Sequence, residues 1–105
     1  MDKTVYYSII DFGYGFDTTI KVDGVYVSLM PNIDYDSDGV EEMIGLNVAI
    51  FDRKTKKNIY ADACDNNGNL YLDFEAANFT KKNKTKFKLE IRKRAINTYQ
   101  VVVRF

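Results

Sequence analysis

The sequence predicts an all-β fold, a single antiparallel β-sandwich of about eight strands, on three observations. Apolar residues recur at every second position in run after run, turn pairs such as Asp-Gly and Asn-Gly separate the runs, and no stretch carries a convincing apolar stripe of 3.6-residue period. The 105 residues suit one domain, 1–105, and a chain with 46% hydrophobic and 14% aromatic residues can bury a core.

The first run, "KTVYYSIIDF", is apolar on both faces, with Val5, Tyr7 and Ile9 against Tyr6, Ile10 and Phe12. A strand of that kind either lies beneath another element or turns one face to a partner. "FDTTIKV" and "VYVSLM" flank Asp23-Gly24, the signal of a two-residue type I′ hairpin. Such a loop pairs Val22 with Val25, Ile20 with Val27 and Thr18 with Leu29, so the apolar sets meet on one face. "MIGLNVAIFD" places Ile44, Leu46, Val48 and Ile50 inward, and after "RKTKKN" the run "IYADAC" does the same for Ile59, Ala61 and Ala63. Asn67-Gly68 then leads into "NLYLDFEA" with Leu70, Leu72 and Phe74 inward. A hairpin there would set Ala63 against Leu72 and, on the outer face, Asp62 against Asp73. "FEAANF" offers at most one turn. "KFKLEIRKR" points Phe87, Leu89 and Ile91 inward, and "YQVVVRF" does so for Tyr99, Val101, Val103 and Phe105, with Val102 an apolar intruder in the outward set.

Composition narrows the function. The chain has no histidine, which removes the commonest general base and the commonest metal ligand. Its single cysteine, Cys64, forbids an internal disulfide and any Cys-x-x-Cys pair, and no serine lies in a Gly-x-Ser-x-Gly context. The expectation is therefore a protein that is not an enzyme. The opening "MDKTVYYSIIDFGYG" has neither the form of a secretory signal nor that of a membrane span. A protein that is cytoplasmic when made, without a membrane partner, is expected. Formal net charge is zero, yet residues 1–52 hold ten acids and two bases while residues 53–105 hold five acids and thirteen bases.

The segment Leu46–Phe74 follows a pattern. A strand ends in Asp52, a Thr55-Lys56 turn follows, a second strand leads to Asp65, and Asn67-Gly68 opens a strand with Tyr71 and Phe74. In this it resembles the central hairpins of prealbumin-like modules of the CnaB type, and more broadly immunoglobulin-like sandwich modules. That resemblance implies an interaction module of the sort found in surface adhesins and in phage virion accessory proteins. The internal Lys–Asn isopeptide bond of many CnaB modules finds no support here, because the last strand has no internal Asn and Glu90 has outward parity.

Three groups of residues are candidate sites. "IDYDSDGVEE" (33–42) holds five acids in ten positions. Asp34, Asp36, Asp38 and Gly39 fit the first half of a calcium loop, with Glu42 or Glu41 as a further carboxylate, although no helices flank it and position twelve is Gly45. The same residues equally suit a hydrated connection whose Asp and Gly make local turns. The outward tyrosines Tyr26, Tyr60 and Tyr71 could anchor a protein interface or stack on a carbohydrate. The tract "KKNKTKFKLEIRKR" puts Lys86, Lys88 and Arg92 along one strand face. It lacks the interleaved aromatics of a nucleic-acid platform, so a solvated face or one matched to acid elsewhere is the better expectation.

These observations converge on a non-catalytic structural or interaction module, an accessory component of a larger assembly such as a phage virion (head decoration, tail or baseplate). Its partner would be another protein or a second copy of itself. Two other classes fit the sequence: a ligand-binding module for carbohydrate or calcium, and an inhibitor whose acidic surface engages a host enzyme.

Overall fold

A computed structural model of the chain describes residues 3–13, 15–22, 24–75 and 86–104. The possible turn within "FEAANF", the lysines at 81–84, Asp23 and Phe105 lie outside them. Among the described residues there are eight strands: β1 (Thr4–Asp11), β2 (Thr18–Val22), β3 (Val25–Tyr35), β4 (Glu41–Asp52), β5 (Asn58–Ala63), β6 (Leu70–Glu75), β7 (Lys86–Ala95) and β8 (Thr98–Arg104). They form two antiparallel four-stranded sheets, one in the order β1-β8-β7-β6 and the other β2-β3-β4-β5. No helix among the described residues is long and apolar enough to cross a membrane.

Within each sheet the strands pair with their sequence neighbours, β2-β3-β4-β5 in one and β6-β7-β8 in the other. The one exception is β1, which closes the first sheet against β8. Between the sheets lies a core that, among the described residues, has fifteen buried members drawn from both, including Ile20, Val27, Leu46, Ile50, Leu89 and Val103. The β2–β3 hairpin has the register that the Asp-Gly turn dictates, Val22↔Val25, Ile20↔Val27 and Thr18↔Leu29.

The structure corrects three sequence expectations. β5 and β6 are not a hairpin, since β5 pairs with β4 and β6 with β7, in different sheets. The Asn67-Gly68 turn does form, but the chain parts at once. Cys64 N donates to Leu46 O at 2.9 Å on one side, and Lys93 N donates to Gly68 O at 3.0 Å on the other. Asp62 and Asp73 therefore never face each other: Asp73 stands opposite Lys88, and Asp62 opposite Val48.

The second correction is Ile44, which is 57% exposed rather than inward. A bulge lies where Asn32 pairs with Gly45 and Ile33 with Met43, so Ile44 is the extra residue and Met43 takes the inward position. The third is β5, where a further irregularity between Ile50↔Tyr60 and Phe51↔Asn58 reverses the parity. Tyr60 shares the face of buried Ile50, while Ala61 and Ala63 are exposed.

Two turns are built to one plan. In Asp36–Val40, Asp36 Oδ1 accepts from the N–H of Asp38 and of Val40, both at 2.9 Å, and Gly39 has φ +79°. In Asp65–Asn69, Asp65 Oδ1 accepts from the N–H of Asn67 and of Asn69, both at 2.9 Å, and Gly68 has φ +78°. Only the second glycine is also crowded, since a Cβ there would lie 2.6 Å from Lys93 Cβ, whereas nothing lies within 4 Å at Gly39. Gly39→Ala should thus cost only the left-handed backbone penalty of about 1–2 kcal/mol. Gly68→Ala should add about 1–3 kcal/mol of overpacking, because β7 must shift. Urea midpoints of the two variants measure the difference.

Candidate functional site

β3 and β4 are the longest strands, of 11 and 12 residues, and they outrun their neighbours. β2 pairs with β3 only as far as Leu29, and β5 reaches β4 only from Asn47 onward. Residues 32–35 and 41–45 therefore pair with each other alone within their sheet. They form a two-stranded arm that ends in the Asp36–Val40 turn, and the molecule measures 50 Å along its longest axis against 18 Å along its shortest.

The arm carries the acidic stretch. Asp34 pairs directly with Glu42, and Tyr35 with Glu41. Like charges directly opposite destabilise a ladder unless something neutralises them, and residues 30–46 contain no Lys or Arg. Asp36 is committed to its turn, as the matching role of Asp65 shows. Asp34 Oδ1 accepts from Tyr35 N at 2.8 Å, and Tyr35 Oη lies 3.4 Å from Glu41 Oε1. Among the described residues no group of three or more Asp, Glu or Cys side chains is placed to hold a metal ion, so Asp34, Asp36, Asp38 and Glu42 do not converge on one point here. Tyr35, Val40 and Ile44 add exposed apolar surface to the arm.

The other end of the β3–β4 hairpin is its electrostatic opposite. The turn after β4 is ordered by Asp52, whose Oδ1 accepts from Lys54 N at 2.8 Å and Thr55 N at 2.9 Å. Those N–H bonds, led by that of Thr55, hold the Asp52 carboxyl below its ordinary value. Lys56 takes a left-handed conformation, φ 63°, that directs the chain back into β5. Its Nζ lies 4.6 Å from the centroid of the Tyr26 ring and donates to Tyr26 Oη at 3.3 Å. Arg53 and Lys21 approach the same ring at 5.6 and 5.9 Å. Tyr26 thus sits in a cluster of three cations, with Lys54 and Lys57 exposed on the same turn.

This cluster lowers the pKa of the Tyr26 phenol, chiefly through the hydrogen bond from Lys56 and then through its charge. A cation near the ring favours the phenolate, so ionisation moves to lower pH. Tyr60 and Tyr99 move the other way, the first because it donates to Asp62 Oδ2 and the second because it is buried. In an absorbance titration of tyrosinate, Tyr26→Phe should therefore remove a component that ionises below 10, and Lys56→Met should shift that component upward. An unchanged early component in both variants would contradict the cluster.

The three candidate tyrosines do not share a face. Tyr26 is on the outer face of the β2–β5 sheet, and Tyr71 is 57% exposed on the outer face of the other sheet. Tyr60 packs against the core and donates to Asp62 Oδ2 at 2.9 Å, so it is not outward. Burial pushes the Cys64 thiol up to about 11, with Asp65 and Asp62 adding to it, which leaves it a poor nucleophile.

The basic stripe of β7 is matched to acid. Lys86 lies in register with Glu75, and Lys88 with Asp73. Glu90 sits between Arg92, whose Nε is 2.8 Å from Oε1, and Arg104, whose NH1 is 3.5 Å from Oε2. A shallow groove of about 460 Å³ runs beside this network, lined by Tyr71, Arg92, Arg94 and Asp65 among others. On the same face, at the opposite edge of the sheet, β1 leaves Val5, Tyr7 and Ile9 exposed, while Val102 is buried between Tyr7 and Glu90.

Sequence reasoning identified the acidic stretch and the charge division between the two halves of the chain. It missed the arm, and it missed the Tyr26 cluster although it had singled out Tyr26. The signal for the cluster was present, since a two-residue turn pairs Lys21 with Tyr26 and the Arg53–Lys57 turn follows the strand paired to Tyr26. Compared with known proteins, the chain matches no protein family, no curated protein and no solved structure.

Proposed function

We propose that the protein is a non-catalytic structural module that docks onto a larger assembly by its charged ends. The observation that carries this reading is the placement of the acidic arm and the Tyr26 cation cluster at opposite ends of one hairpin. From Val25 to Tyr35 the strand spans about 33 Å at the usual rise per residue. Screening acts over about 8–10 Å, so the two ends do not neutralise each other. The lack of histidine and the poorly ionising thiol of Cys64 support a non-catalytic role.

An accessory protein of a virion, added to head, tail or baseplate after synthesis in the cytoplasm, is the concrete form we favour. The finer resemblance to prealbumin-like or immunoglobulin-like modules rests on the two packed antiparallel sheets and on the Leu46–Phe74 pattern. The meander order departs from the Greek-key connections of immunoglobulin domains. A second reading, carbohydrate binding, draws support from the groove beside Tyr71; retarded migration on a glycan column that Tyr71→Ala abolishes would establish it.

The test of the assembly role is sedimentation of the tagged chain in a lysate of its source cells. Comigration with particles far heavier than the 12.1 kDa chain, with release by high salt, is the expected result. A chain that stays at the top of the gradient at low salt would sink the proposal.

A further inference from the structure

We infer that the partner includes a second copy of this chain, bound head to tail, with the acidic arm of one molecule seated on the Tyr26 cation cluster of the next. This inference rests on the assembly reading above and names its partner. Two independent observations meet in it. The first is an arm whose residues 30–46 include no base, whose Asp34 and Glu42 face each other across the ladder, and whose two strands have no further neighbour in their sheet. Such an arm is relieved by cations from outside it. The second is the convergence of Lys21 and Lys56 on the ring of Tyr26, where two exposed like charges meet and an incoming carboxylate is attracted by both.

The two surfaces are complementary in charge and lie on one body. Contact between copies is therefore heterologous, and it propagates into a ring or a row rather than closing as a twofold dimer. The exposed Tyr35, Val40 and Ile44 supply the apolar part of the contact. Two acids of the other sheet already have basic neighbours within it: Asp73 lies in register with Lys88, and Glu90 is held by Arg92 and Arg104.

A charge exchange tests this. One variant carries Asp34→Lys, Asp38→Lys, Glu41→Lys and Glu42→Lys, which make the arm basic, the other Lys21→Glu, Lys54→Glu and Lys56→Glu, and all seven positions are exposed, so folding is retained and is checked by thermal melts. At low salt the wild-type mass should at least about double as protein concentration rises, each variant alone should stay at 12.1 kDa, and an equimolar mixture of the two should associate again. The mixture restores the contact because the basic arm of one variant meets the acidic cluster of the other. The inference is overturned if the wild type stays monomeric, if association survives either variant, or if the mixture fails to restore it. Survival in both variants would place the contact elsewhere, as at the edge strand β1, where Val5, Tyr7 and Ile9 are exposed. A purified monomer that still sediments with heavy particles in the lysate would overturn self-docking while leaving the assembly role intact.

Discussion

Leu46→Ala is expected to cost about 3 kcal/mol, while Ile44→Ala two residues away costs less than about 0.5 kcal/mol. Leu46 is fully buried among residues of both sheets, so truncation leaves a cavity that the packed strands cannot collapse into. Ile44 is the extra residue of the bulge and faces solvent. For a chain of this size, Leu46→Ala should lower the melting temperature by about 15 °C. Set against total stabilities of about 5–15 kcal/mol, that is a large share of what holds the fold. Equal losses at the two positions would mean that β4 alternates without interruption and that the bulge is absent.

Removing residues 33–44 should leave a folded monomer that no longer associates at any salt concentration. The deletion joins Asn32 to Gly45, which are already cross-strand partners, and Pro31↔Leu46 becomes the closing pair. Asn-Gly suits the two-residue type I′ loop that such a closure requires, since both residues accept positive φ. The loss in stability is limited to the contacts of Met43, which packs on the core, and of Ile33, which lies over Gly15. About 1–2 kcal/mol is expected, read from urea melts. A shortened chain that fails to fold would assign the arm a structural role; one that folds and still associates would remove it from the interface.

Local turn chemistry made the β2–β3 hairpin legible to the residue, because Asp23-Gly24 sits between two alternating runs and the parity closes without a bulge. The same reasoning failed at Asn67-Gly68. A tight turn fixes the direction of two strands but not their partners, and there β5 pairs with β4 and β6 with β7. The bulges at Ile44 and near Ile59 reverse side-chain parity without any composition signal, which is why Ile44 and Tyr60 stood on the wrong faces. Gly39 and Asp36 looked like the start of a calcium loop. Their counterparts Gly68 and Asp65 show that one Asp and one Gly suffice to build that turn.

The charge division was legible as a count along the chain. What the sequence withheld was distance. The separation arises because β3 and β4 run about six residues past β2 and β5, a matter of relative strand length rather than of composition. The basic stripe of β7 reads as an open patch in sequence, and it is closed in space by strands that lie elsewhere in the chain.

Exposed ion pairs contribute about 0.2–1 kcal/mol each, so four or five across a head-to-tail contact, near the top of that range and aided by the apolar Tyr35, Val40 and Ile44, give a dissociation constant of about a millimolar. Association will therefore show at low salt and high protein concentration. The most direct measurement is the solution mass of the purified wild-type chain by light scattering, at protein concentrations up to about 1 mM and in about 20 mM and about 500 mM salt. A mass that climbs with concentration above 12.1 kDa in low salt and returns to 12.1 kDa in high salt is the expected result. A mass of 12.1 kDa under every condition would contradict the claim that the two charged ends bind each other.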